Sequence, residues 1–199
     1  ADVIKDGDEL NVRQCVEIAL KHHPAVNAAT GRIMQSEARI GQARSEYLPK
    51  LHLQSGYTRS RPASQSLTGS SDNRYSNTLT LQQTLFDFGK TSAAVDIQKM
   101  GKQTAETDFQ DTASSVTLGV RQAYYSLLKA LMSRRVAEET VDQFARHLEV
   151  AGIFFETGKT SKIDVTSAEV NLSNARLQLI SAQNAQLIAR AGLNNAMGL

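Results

Sequence analysis

The sequence is poor in residues on which several classes of protein depend. It has 199 residues, no tryptophan, three prolines and one cysteine, Cys15. A single cysteine excludes an intrachain disulfide, and a thiol within an amphipathic helical pattern is usually a small buried group. A lipid-carrying cysteine would stand at the mature N-terminus, where this sequence has Ala1. We therefore expect a buried Cys15 and no lipid anchor.

The sequence also lacks a charge excess and long apolar runs. Its 22 basic and 20 acidic residues give a net charge of +2, which offers no electrostatic reason to expect nucleic-acid binding. No apolar run reaches the roughly 18–20 residues that a transmembrane helix needs. If the chain meets a membrane, it must do so through a β-barrel or at the interface.

Helical periodicity dominates the first 48 residues. Val12, Val16 and Leu20 mark the apolar side of a short helix, and Pro24 suits the first turn of a second one. Pro49 ends this region, because the residue before a proline disfavours helix. Residues 10–48 are thus predicted to be N-terminal helices.

Residues 49–88 change to a period of two, which predicts a β-hairpin with a long loop at 61–73. Each strand holds about ten residues, which is what a tilted membrane strand requires. One face is polar, rich in glutamine and threonine. The opposite face either packs on protein or faces lipid in the full assembly, and we favour lipid. This apolar face consists of Leu51, Leu53, Tyr57, Tyr75, Leu79, Leu81 and Leu85.

A long helix is predicted over 89–152, on the order of 90 Å if unbroken. A turn at 153–161 contains Gly158, and a return helix with Ser161 as N-cap covers 162–197. Both helices place apolar residues four and three apart, the spacing of helices that pack along their lengths. These seam positions are Phe109, Ala113, Val116, Val120, Ala123, Leu127 and Ala130, then Ala168, Leu172, Ala175, Leu179, Ala182, Ala189, Leu193 and Ala196, with Gln186 as a polar break.

Six stretches in register resemble the TolC-like outer-membrane efflux protein family. Residues 10–24 resemble its opening, 43–57 its passage from helix to strand, and 81–89 its return to helix. Residues 120–128 are similar to its long helix, 154–165 to its periplasmic tip turn, and 194–198 to the end of its first repeat. Residues 1–199 are therefore identified as a single repeat, with the second repeat absent from this chain.

The resemblance implies a mainly α fold with a β-hairpin. A long antiparallel coiled-coil hairpin accompanies two strands that contribute to an oligomeric outer-membrane β-barrel. It further implies a trimer of two-repeat chains with twelve strands and a helical tunnel in the periplasm of a Gram-negative bacterium. Such a duct is a passive conduit, without catalysis, cofactor or metal, which works with a periplasmic adaptor and an inner-membrane transporter. Drug efflux and type I secretion both remain open.

The resemblance also implies roles for the turn. Thr157, Gly158, Lys159 and Thr160 match the tip where adaptors dock, and Asp164 matches an aspartate of the closed entrance gate. Asp164 is equally explained as a first-turn acid favoured by the helix dipole. Gly158-Lys159-Thr160 does not make a phosphate loop, because Ile153 stands where that motif needs glycine. The adjacent His22 and His23 point to different helix faces, so a capping or solvated role is expected rather than a metal site.

The alternative function is a periplasmic coiled-coil adaptor, which also carries a long helical hairpin. Adaptors usually flank that hairpin with compact β-domains. This sequence places helices before its β-hairpin and no β-domain after its coiled coil, which disfavours the adaptor.

Overall fold

The structure is a computed structural model that describes residues 10–60 and 72–199. The fold is mainly helical with one two-stranded antiparallel sheet, as predicted. A short 3₁₀ helix, Ser45–Tyr47, precedes the sheet. The elements in chain order are α1 (Val12–His22), α2 (Pro24–Arg44), β1 (Lys50–Ser60), β2 (Asp72–Gln82), α3 (Lys90–Glu156) and α4 (Lys162–Met197).

The first two helices are fixed by local capping. The Asn11 side chain accepts a hydrogen bond from the Gln14 backbone N–H at 2.9 Å, and the Gln14 side chain accepts one from the Asn11 N–H at 2.8 Å. This reciprocal capping box satisfies donors at the start of α1. His23 Nδ1 accepts a hydrogen bond from the Ala25 N–H at 3.2 Å, just where Pro24 begins α2. The capping role expected for this histidine pair is therefore confirmed at His23.

The chain divides into two compact units, which are described separately: Ala1–Thr30 with Asp108–Leu199, and Gly31–Thr107. The core of the first unit joins α1, α3 and α4 through five buried side chains. Cys15 is completely buried among them, as the sequence predicts, and burial raises the pKa of its thiol. The five are Cys15, Ala19, Val120, Leu193 and Met197.

The predicted seam is the packed side of α3 and α4. Every seam position on the two helices is buried or half-buried, including the polar Gln186. Val120 lies with Leu193 and Met197 in the core, whereas Arg134, farther along α3, contacts Gln186, which is earlier on α4. The two helices are therefore antiparallel, and the four-three spacing identified the correct faces.

The long helix continues past its predicted end at residue 152, so the predicted turn at 153–161 is too long. The helix ends at Glu156, because Ile153, Phe154 and Phe155 contain nothing that breaks a helix. The first residue with a positive φ after them is Gly158, at 72°. The connection between α3 and α4 is therefore residues 157–161 alone.

The second unit contains the hairpin. Leu51 lies opposite Leu81, Leu53 opposite Leu79, and Tyr57 opposite Tyr75. Directly opposed residues share a face, so six of the seven predicted apolar positions form one ladder. The Tyr57 and Tyr75 rings are 4.8 Å apart at their centroids.

Two details of the predicted hairpin are wrong. Leu85 is not in a strand, because β2 ends at Gln82 and residues 83–89 connect it to α3. Asp72 and Asn73 belong to β2 rather than to the loop, and the rest of the predicted loop, 61–71, lies outside the described residues. Gln82 is the last paired residue because it lies opposite Lys50, where β1 begins after Pro49. The chain then turns toward α3 at Phe88 and Gly89, which both take a positive φ.

Throughout the described part of the chain, no helix is both long enough and apolar enough to cross a membrane.

The core makes a direct stability prediction. Val120→Ala should lower the free energy of unfolding by about 2 kcal/mol, because it removes fully buried methyl groups and leaves a cavity. The control is Val136→Ala, a change of the same size on the same helix at a side chain that is 61% exposed. Urea unfolding should show a change within about 0.5 kcal/mol for this control. Equal losses in the two variants would contradict the assigned core.

Candidate functional site: the helical tip and the apolar hairpin

The turn between α3 and α4 is closed by a left-handed glycine. The Gly158 N–H donates to the Phe155 carbonyl at 3.0 Å, and the Lys159 N–H donates to the Phe154 carbonyl at 2.8 Å. This pair of hydrogen bonds is the Schellman motif, which satisfies carbonyls at a helix C-terminus. A side chain at Gly158 would meet no atom within 4 Å, so the positive φ alone explains why glycine stands there.

Asp164 secures the other side of the turn. Its Oδ2 accepts hydrogen bonds from the Thr160 hydroxyl at 2.5 Å, the Ser161 hydroxyl at 2.9 Å and the Ser161 N–H at 3.1 Å. The Thr160 hydroxyl and then the Ser161 donors hold the pKa of the Asp164 carboxyl below its usual range. Asp164 is thus the acidic partner in the cap of α4, which is one of the two roles expected from its position.

The hydroxyl groups of the turn are hydrogen-bonded within the tip, and the exposed apolar side chains stand on the two helix ends beside it. Phe154 and Phe155 are about half exposed, and Ile163, in the first turn of α4, is 76% exposed. The Lys159 ammonium lies 5.9 Å from the centre of the Phe154 ring, within reach of a cation–π attraction. Exposed apolar residues at one end of a rigid helical pair are typical of a protein-binding surface.

The predicted tip residues thus lie together, and they divide between closing the end of α3 and capping the start of α4. Thr157, Gly158 and Lys159 end α3, and the Thr157 hydroxyl donates back to the Ile153 carbonyl at 3.0 Å. Thr160 belongs to the cap of α4 through its bond to Asp164. The hydrogen bonds of Asp164 to described residues all come from its immediate neighbours, so its gate role stays a prediction.

The hairpin is the second candidate surface, and all its apolar side chains stand on one exposed face. Leu53 is 75% exposed and its partner Leu79 is 66% exposed. On the opposite face His52 lies across from Thr80, and Gln54 across from Thr78. Within the described residues, each strand pairs only with the other, which leaves one hydrogen-bonding edge of each strand open. Each open edge can therefore pair with a further strand.

The resemblance placed a return to helix over 81–89, but the residues that make the turn from β2 to α3 were not predicted. Asp87 accepts hydrogen bonds from the Gly89 N–H at 3.1 Å and the Thr91 N–H at 2.7 Å. The Thr91 side-chain hydroxyl, and after it the Thr91 N–H, are the main reasons why the pKa of Asp87 lies below its usual range. These bonds hold Phe88 at a φ of 54°, which non-glycine residues rarely adopt. The signal was available, because an aspartate two residues before a glycine is a turn pattern.

Comparison with known proteins identifies the class to which this architecture belongs. A family model described as outer membrane efflux protein matches residues 15–199. The chain therefore belongs to the outer membrane efflux protein family, and the resemblance seen in the sequence is confirmed. The predicted outer-membrane location is confirmed with it.

Individual relatives agree with this assignment. The chain is 30% identical over 195 residues to the protein CyaE of Bordetella pertussis, covering 96% of this chain and 40% of that protein. It is 25% identical over 187 residues to the outer membrane protein TolC of Escherichia coli, covering 94% of this chain and 36% of TolC. The chain thus spans about two fifths of the length of these relatives.

Solved structures share the fold. The CmeC outer membrane channel of Campylobacter jejuni superposes with a TM-score of 0.79 at 19% identity, over 100% of this chain and 46% of that one. A structure of CusC gives 0.79 at 15% identity, over 100% of this chain and 47% of that one. The helical pair and hairpin of this chain therefore follow the fold of about half of each such chain.

The tip cap predicts a pH dependence. A lowered folded-state pKa means that the Asp164 contribution to stability is fully present above the unfolded value of about 3.9. It is lost as the pH falls through the lower folded-state pKa. Hydrogen exchange of the Ser161 amide, corrected for its intrinsic pH dependence, should therefore lose protection at acidic pH.

Asp164→Ala should abolish this protection at every pH. Asp142→Ala is the control, because Asp142 is an exposed α3 residue whose side chain makes no hydrogen bond to a described residue. An Asp164→Ala chain with wild-type protection at Ser161 would show that the cap is wrongly assigned.

Proposed function

We propose that this chain is one repeat of an outer-membrane exit duct, a passive conduit across the periplasm and outer membrane. The duct serves a tripartite efflux pump or a type I secretion system. The observation that carries this proposal is the exposed apolar ladder of the hairpin, joined to a long antiparallel helical pair. Membership of the outer membrane efflux protein family supports it.

The hairpin supplies the membrane part of the duct. Its ladder of leucines and tyrosines faces lipid, and its face of histidine, glutamine and threonine faces water. The open edges of β1 and β2 need strands from other repeats, because unpaired backbone groups are costly in lipid. This requirement supports a homo-oligomer, and the trimer of two-repeat chains with twelve strands satisfies it.

The helical pair supplies the periplasmic part and its docking site. Thr157, Gly158, Lys159 and Thr160 form the turn at which a periplasmic adaptor docks, beside the exposed Phe154 and Ile163. Asp164 contributes to the entrance gate as well as to its own cap. An inner-membrane transporter completes the assembly, and the duct itself is not an enzyme. An adaptor identity for this chain is disfavoured, because the efflux family model covers 15–199.

The names of related proteins bear on the class of cargo. Among the relatives, CusC of Escherichia coli is named a cation efflux system protein, and it is 22% identical over 186 residues. A solvent efflux pump outer membrane protein of Pseudomonas putida is 23% identical over 187 residues. These names support efflux of small molecules, and type I secretion is the second candidate.

The docking role can be tested by introducing a proline at either of two nearby positions, in two separate variants. Gly158→Pro in the full-length protein should weaken adaptor crosslinking about tenfold or more. Proline fixes φ near −65° and removes the N–H that bonds Phe155. Lys162→Pro is the control, because Lys162 is the first residue of α4, where proline is tolerated. Equal crosslinking by the two variants would refute the tip as the docking site.

The lipid-facing role can be tested on adjacent residues of β1. Leu53→Arg should reduce outer-membrane insertion, because arginine near the bilayer centre costs about 2–4 kcal/mol. His52→Arg, on the polar face, should insert normally. Deletion of residues 50–86 should abolish insertion altogether. The measurement is membrane fractionation with urea washing, and normal insertion of Leu53→Arg or of the deletion would contradict the assignment.

A further inference from the structure

Two polar side chains interrupt the α3–α4 seam, one on each helix, and they contact each other. Arg134 lies four residues after the seam residue Ala130, and Gln186 lies between the seam residues Ala182 and Ala189. The Arg134 Nη1 donates a hydrogen bond to the Gln186 Oε1 at 3.1 Å, although the two residues are 52 positions apart. The four-three spacing continues past Arg134 at Ala137, Val141, Phe144 and Leu148, and these positions and the other seam residues of α4 are apolar.

Arg134 is held in place by its own helix. Its Nε donates to the Glu138 Oε1 at 2.8 Å, one turn farther along α3. The Arg134 side chain is 42% exposed, so its charge keeps contact with water while the other end of the guanidinium reaches α4. A guanidinium suits this double contact because its nitrogens are fixed in a planar fork. Here the Nε bonds to Glu138 on α3 and the Nη1 bonds to Gln186 on α4.

The apolar part of the seam does not define one alignment of the helices. Its residues are alanine, leucine, valine and phenylalanine at a repeating four-three spacing, so a shift of seven residues again opposes apolar residues. The same shift would place Arg134 beside Leu179 or Leu193, and Gln186 beside Leu127 or Val141. Gln186 would then lose its donor in a half-buried position, and the Arg134 guanidinium would keep only Glu138 and face a leucine with its other nitrogens, which is unfavourable.

We propose that the Arg134–Gln186 contact is a register lock, which selects one alignment of α3 against α4. A single polar pair in an apolar seam is known to act in this way in coiled coils. The tip turn at Gly158 is a second constraint on the alignment. The register lock lies about 25 residues, or on the order of 35 Å, from the start of α4. It keeps the helices aligned when the tip turn is deformed, and this role does not depend on the proposed function.

The test measures the alignment directly. Spin labels at cysteines replacing the exposed Gln143 and Glu169, in a Cys15→Ala background, report the distance between α3 and α4 on the tip side of the lock. Dilution with unlabelled chain restricts the measurement to distances within one molecule. The wild-type seam, and Gly158→Pro alone, should each give one distance.

Removal of both constraints should release the alignment. Gly158→Pro combined with Arg134→Leu and Gln186→Leu should give a second distance population, because a seven-residue shift moves α4 by about 10 Å along its axis. The matched control combines Gly158→Pro with Arg135→Leu and Gln183→Leu, the same residue changes at exposed positions outside the seam. This control should keep one distance.

One distance in both combined variants, or two distances in both, would overturn the register lock. If circular dichroism shows that the Arg134→Leu and Gln186→Leu substitutions unfold the helices, the exchanged pair decides. Gly158→Pro with Arg134→Gln and Gln186→Arg restores the contact in reverse and should keep one distance. A second distance in that variant would overturn the proposal.

Discussion

The packing of α3 against α4 along one line of small and large side chains is the constraint on which the first unit depends. Alanines in the seam allow the two backbones to approach, and leucines and valines fill the space between them. α1 completes the core by packing Cys15 and Ala19 against Val120 on α3 and against Leu193 and Met197 on α4. The position of the tip turn follows from this packing, because α3 ends and α4 begins at that end of the helical pair.

The sequence predicted the features that arise from periodicity. The seam was placed on the correct face because the four-three spacing continues for many turns. One residue that departs from the pattern therefore does not change which helix face it identifies. The ladder was found because leucine and tyrosine alternate with polar residues on both strands. Leu85 was wrongly included, since alternation alone does not show where β2 stops. Its end is set by the register, because Gln82 lies opposite the first residue of β1, and the register has no signal in the alternation.

The candidate sites divide in the same way. Gly158 and Ser161 were identified because helix ends have recognisable residues, and the structure shows the corresponding hydrogen bonds. The contact of Arg134 with Gln186 was beyond the sequence, because it depends on the alignment of residues 52 positions apart. Gln186 was recognised as a break in the pattern, but its partner could be named only once the two helices were seen together.

The hairpin and the helical pair differ in how complete they are. The pair buries its seam within the chain, whereas the ladder is exposed and, among the described residues, both strand edges are open. Such a hairpin gains most of its stability from what surrounds it, because two isolated strands are marginal in water. The apolar side chains of the hairpin are therefore left without partners among the described residues, whereas those of the α3–α4 seam find partners within the chain.

Cys15 gives the molecule a chemical reporter of its own motions. The thiol is completely enclosed by α1, α3 and α4, and burial raises its pKa, so both access and ionisation oppose its reaction with an alkylating reagent. Alkylation must wait until α1 leaves the other two helices. When reclosure is fast relative to alkylation, the rate of modification then measures the fraction of molecules in which this part of the core is open. A single sulfur atom thus converts a local opening into a chemical signal, without any engineered label.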